Sequence, residues 1–183
     1  MKILKIIGLV LAVLLVMVVL FLAYMGFFSS IKIVEKETGP YTIAYESFVG
    51  PYAETGKVFN RVYEALQKDG IETKRGLGIY YDDPSKVEAD KLRSDCGVII
   101  AKKDMAVFEE VKDKYKTKTI ENANRMTAEF PKKNVLSYMI GPMKVYPQFA
   151  KYMKKMNYNE SVLGFEIYDE EQKKIIFMMD INQ

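Results

Sequence analysis

The sequence predicts an α+β fold in which a duplicated strand-helix-strand-strand repeat forms an antiparallel sheet with helices packed on it, preceded by one transmembrane helix. Three observations predict it. The N-terminal residues include a long uncharged run, strand-like alternation and helix-like spacing follow one another in the same order twice, and the 153 residues of 31–183 suffice for one core.

Residues 6–28, IIGLVLAVLLVMVVLFLAYMGFF, carry no charge over 23 positions. As a helix they would span roughly 35 Å, enough to cross the apolar layer of a bilayer. The competing reading is a cleavable signal peptide, because Lys2 and Lys5 make residues 1–5 a basic flank. The run exceeds the roughly 7–15 residues of a signal core, and no good small-x-small site precedes Ile31, so an uncleaved anchor is expected. Lys32 and Lys36 on the far side balance Lys2 and Lys5, which leaves the membrane face of the domain undetermined.

Taking Lys2 and Lys5 from the 27 basic side chains leaves residues 31–183 with 25 against 24 acidic ones. A near-neutral domain has no strongly basic face for nucleic acid, and a self-contained core implies a monomer. Histidine is absent, which removes Ser-His and Cys-His pairs and histidine metal sites; neither a metal nor a cofactor is expected. The single cysteine, Cys96, sits in the apolar run CGVII and reads as a small buried hydrophobe.

Within the domain, residues 41–49 (YTIAYESFV) alternate as a strand, with Ile43, Tyr45, Ser47 and Val49 on one face. Residues 54–68 place Val58, Phe59, Val62, Ala65 and Leu66 at helical spacing, and Gly70 stops that helix. Residues 76–81 and 96–102 read as two strands joined by a loop. This first repeat, about 41–102, is followed by a linking helix after Asp104, expected as its N-cap. A second repeat, about 117–183, has strands at 125–130, 162–168 and 175–181 and a helical stretch within 135–156. There Gly141-Pro142 mimics the strand-ending Gly50-Pro51, but Leu136, Met139, Ile140 and Met143 keep helical spacing and favour a kinked helix.

The order of GPYAETGKVF (50–59), IYYDDP (79–84), KLRSDCG (91–97) and FEIYDE (165–170) resembles the gyrase-inhibitor-like (GyrI-like) small-molecule-binding domain, and ETGKVF, YYDDP and KVYPQFAKYM resemble its membrane-anchored subgroup with one N-terminal transmembrane helix. That resemblance implies an aromatic groove between the repeats, where a second-half glutamate meets lipophilic, often cationic, ligands. Glu166 takes the matching position, and strand alternation puts it on one face with Tyr168 while Phe165 and Ile167 take the other. Repeat alignment sets Tyr80 against Tyr168, and Tyr45 completes the candidate ligand-binding set of Glu166, Tyr80, Tyr168 and Tyr45.

Asp82 and Asp83 read as turn residues bonding local N–H groups and Arg93, a pocket edge with no catalytic role. Lys144, Lys151, Lys154 and Lys155 read as a solvated basic face. The expected function is capture of an amphipathic or cationic small molecule by a single-pass membrane-anchored module. Recruitment of a protein partner is one alternative. The resemblance implies another, hydrolysis of strained electrophilic toxins with Glu166 as acid or base, which the absence of tryptophan opposes.

Overall fold

The computed structural model describes residues 2–159 and 163–181. The first element, α1 (Lys2–Tyr24), is apolar after Lys5, with none of it buried in the rest of the protein. It is shifted from the expected 6–28 because Gly26, at φ +78°, ends it. Gly26 N–H donates to Ala23 and Phe27 N–H to Leu22, the paired bonds that close a helix on a left-handed residue. Gly70, at φ +82°, closes α2 (Thr55–Lys68) by the same pair of bonds, to Gln67 and from Ile71 to Leu66.

The domain is an eight-stranded antiparallel sheet of β1 (Ile33–Thr38), β2 (Tyr41–Val49), β3 (Arg75–Tyr80), β4 (Arg93–Ile99), β5 (Lys116–Ile120), β6 (Ala123–Pro131), β7 (Gly164–Asp169) and β8 (Lys174–Asp180). Their order across the sheet is β1-β6-β8-β7-β3-β4-β2-β5. The two repeats meet at the central β7-β3 pair. Each is one strand longer than the sequence suggests, and that extra strand is exchanged: β1 closes the edge of the second half on β6, and β5 closes the first half on β2. Both escaped the sequence reading because edge strands are polar, as in IVEKET and KTKTI, where charge guards an unpaired rim.

Helix α2 and helix α4 (Ser137–Met156) lie on one face of the sheet; α3 (Met105–Val111) links the halves. Val145 and Phe149 of α4 pack on Met126, Phe130 and Phe177 of the sheet, and Val62 and Leu66 of α2 and Phe108 of α3 pack with Ile71 and Val98. The opposite face is also dry, with Ile43, Leu77, Ile79, Phe165, Ile167 and Met178 in a third cluster. Strands β2, β3, β4, β5, β7 and β8 all contribute to that cluster, so the sheet curls around it.

One boundary expectation changes, one holds in position without its capping bond, and one holds. Strand β4 begins at Arg93, three residues before Cys96, because Ser94 and Asp95 are buried despite their polarity. Asp104 stands at the N-cap of α3 but its side chain makes no capping bond. Gly141-Pro142 lies inside continuous α4, where a Cβ on Gly141 would come within 2.9 Å of the Phe177 ring; the helical reading holds and the likeness to Gly50-Pro51 is one of letters only. Val162 lies outside the described residues.

Candidate functional site: an aromatic groove over a glycine floor

The central pair has a register that sets a large side chain against a glycine three times: Tyr80 against Gly164, Glu166 against Gly78, and Tyr168 against Gly76. Tyr80, Glu166 and Tyr168 point toward the helices, since alternate residues share a face. A Cβ on Gly164 would stand 2.6 Å from Tyr146 Oη, and one on Gly78 would stand 2.8 Å from the Tyr80 ring. The glycines thus leave a shallow floor on which tyrosines lie across the sheet. Helices α2 and α4 form the walls of a groove of about 1510 Å³.

Glu166 sits at the bottom, 4% exposed. Tyr146 Oη donates to Glu166 Oε1 at 2.8 Å, and Tyr168 Oη donates to Oε2 at 2.8 Å. Because the single Tyr168 proton is committed to the carboxylate, the 2.6 Å contact between Tyr80 Oη and Tyr168 Oη has Tyr80 as donor. The chain of donation runs from Tyr80 through Tyr168 to Glu166, with Tyr146 closing from the helix side. Tyr52, Phe59 and Tyr138 add edge-to-face rings, at 4.8 Å from Tyr80 and at 5.2 and 5.5 Å from Tyr168.

Burial raises the Glu166 carboxyl to about 7, against the opposing pull of the Tyr168 and Tyr146 hydrogen bonds. Burial also holds the Tyr80, Tyr146 and Tyr168 phenols well above their ordinary range, with the Glu166 charge acting in the same direction. Among the described residues no lysine or arginine pairs with Glu166. A buried carboxylate with two neutral donors and no counter-charge is costly when ionised, and a cation beside it removes that cost. Burial thus favours the protonated form of Glu166 up to about 7.

Of the residues singled out from sequence, Glu166, Tyr80 and Tyr168 come together here. Tyr45 does not: it faces the curled side of the sheet, packs against the Ile43 and Leu77 cluster, and carries Lys118 Nζ 4.3 Å from its ring centre. Asp82 and Asp83 form the rim. Asp82 accepts from the Arg93 backbone and guanidinium at 2.7–3.0 Å, and Asp83 from the Ser85 N–H and hydroxyl, which hold both carboxyls below the usual range. Cys96 is buried, its thiol pushed up to about 12 by desolvation. Lys144 leaves the expected basic face and donates to the Gly26 and Ser29 carbonyls.

Sequence reasoning missed Tyr146. The only signal was its place in KVYPQF on a predicted helix, since the phase of α4 over the sheet is a tertiary matter. The glycine floor gives a direct check. Gly164→Ala must displace the end of the Tyr146 side chain and break its bond to Glu166, so ligand affinity is expected to fall about tenfold while the melting temperature moves by only a few degrees. Titration and thermal melting of the same preparation measure both.

The GyrI-like small molecule binding domain family matches residues 30–180. Human testis-expressed protein 264 is 27% identical over 161 residues, covering 82% of this chain and 50% of the human protein. A DNA gyrase inhibitor from Pectobacterium carotovorum is 39% identical over 51 residues, 27% of this chain and 33% of that protein. The chain thus spans half or less of the curated relatives it matches. Among solved structures, the EcmrR C-terminal domain superposes with a TM-score of 0.59 at 11% identity, covering 84% of this chain and 98% of that one. SAV2435 bound to tetraphenylphosphonium superposes at 0.50 with 12% identity, covering 84% and 94%. With all eight strands and helices α2, α3 and α4 inside the matched residues, the chain belongs to the GyrI-like small molecule binding domain family.

Proposed function

We propose that this protein is a membrane-anchored receptor for amphipathic organic cations, held in the groove between α2 and α4 against Glu166. The observation that carries the reading is the buried, hydrogen-bonded and uncompensated Glu166 carboxylate under aromatic walls. Such a site rewards a positive charge that arrives with its own apolar surface, because the ligand replaces the water that the carboxylate has already lost. The presence of tetraphenylphosphonium on a protein of this fold supports the ligand class. Helix α1, long and apolar enough to cross a bilayer, supports the anchor.

The test is a titration of tetraphenylphosphonium, and of neutral triphenylphosphine oxide, against the full chain and its Glu166→Gln variant. The amide keeps the shape but not the charge. The cation is expected to lose roughly ten- to hundredfold in affinity, about 1.5–3 kcal/mol, and the neutral compound little. Equal affinity of the cation for both proteins would sink the assignment.

One observation favours a second reading. A carboxyl near 7 suits general acid–base work, so hydrolysis of a strained electrophile is chemically open to Glu166. Turnover of a cyclopropane-bearing substrate by the wild type and not by Glu166→Gln would establish it.

A further inference from the structure

We infer that the mouth of the groove rests on the bilayer: the exposed apolar stripe at the start of α4, with the residues before it, is a membrane-contacting surface. The inference depends on the proposed anchoring by α1. Met139 and Met143, four residues apart on α4, share one side of the helix and are 63% and 68% exposed, and Val135, in the turn just before α4, is 74% exposed. Leu136 and Pro142 extend the same patch, and all five residues line the groove. A soluble surface rarely carries so continuous an apolar strip without an occupant.

The occupant is indicated by what lies beside it. Asn134, the residue before Val135, donates from Nδ2 to Met25 Sδ at 3.2 Å, and Met25 directly follows α1. Lys133 Nζ stands 5.3 Å from the centre of the Tyr24 ring, the last residue of the helix. Met25 is fully buried, Gly26 packs within reach of Pro131 and Phe130, and Lys144 donates to the carbonyls of Gly26 and Ser29. The exit of the apolar span is thus clamped to the root of α4 with no free tether between them.

A tyrosine at the end of a span marks the headgroup layer, and lysines such as Lys133 suit its anionic lipids. With the exit held at that depth, the stripe that begins one residue beyond Asn134 lies at the same depth. The groove then opens onto the headgroup layer, where amphipathic cations concentrate. A protein partner on this strip is the competing occupant.

The experiment uses the full chain reconstituted in phosphatidylcholine vesicles containing phosphatidylserine and a lipid with a nitroxide near the headgroup. A bimane label is placed in turn at Val135→Cys and Met143→Cys, and at Val107→Cys on α3 as an exposed position outside the groove lining. The native Cys96 is buried and its thiol is pushed up to about 12, so it does not compete for label. Lipid quenching severalfold stronger at 135 and 143 than at 107 is the expected result. Quenching no stronger than at 107, in vesicles that carry the chain through flotation, overturns the contact and leaves the anchor standing. Failure to float overturns the anchor and the inference with it.

Discussion

Affinity for tetraphenylphosphonium is expected to rise about hundredfold between pH 5 and pH 8, with the midpoint set by a carboxyl near 7, and to be flat in Glu166→Gln. The empty groove holds Glu166 protonated below that value, so a cation must first expel the proton. Each pH unit below 7 then costs about tenfold in affinity until the carboxyl of the complex, held low by the bound charge, titrates in turn. Triphenylphosphine oxide is expected to show no such rise. Stability runs the other way. A folded value raised from 4.5 to about 7 means that the native protein keeps a proton the unfolded chain has released, so stability is greatest at acid pH and falls as pH climbs through that window. The loss is on the order of 3 kcal/mol, and Glu166→Gln is expected to remove its pH dependence. Isothermal titration across the pH range, with melting followed in parallel, reads both effects. A pH-independent cation affinity would contradict the titration assigned to Glu166.

The largest loss of stability is expected from Gly97→Ala. Gly97 lies in β4 opposite Tyr45 in β2 and Leu77 in β3, and a Cβ there would stand 2.6 Å from the Ala44 carbonyl oxygen and 2.8 Å from Tyr45 Cβ. Unlike the ring edges over Gly78 and Gly164, that obstacle is backbone within a paired strand, so relief means parting β2 from β4. The expected cost is about 3 kcal/mol, or a melting point roughly 6–12 °C lower. Gly56→Ala in exposed α2, where nothing lies within 4 Å of the new methyl, is the control and is expected to be neutral or slightly stabilising. Circular dichroism melts of the two variants make the comparison.

The legible parts of the molecule are those whose signal is local. The Glu166 and Tyr168 face of β7 followed from alternation, with Phe165 and Ile167 opposite, and the resemblance implied the place of Glu166 in the groove that it lines. Tyr45 went astray because β2 is apolar on both sides: Ile43 enters the curled core while Ala44 packs under α2. With both faces dry, no polarity contrast tells which one faces the groove. Tyr146 was hidden for another reason, since it meets Glu166 across 20 residues of sequence and only after α4 settles on the sheet. The glycines at 76, 78 and 164 could be seen as letters, yet their meaning as a floor requires the β3–β7 register.

The exchange of edge strands sets a timetable for synthesis. Ile33 pairs with Ala128 and Thr38 with Ala123, so β1 leaves the ribosome 85 to 95 residues ahead of its neighbour in the sheet. At about 5–20 residues per second that is a wait of roughly 5–20 seconds. Through that interval the strand next to the apolar helix has a bare ladder on both sides. The run Glu35, Lys36, Glu37 gives it charge of both signs while it waits, and the second half of the chain claims it only when β6 has been made.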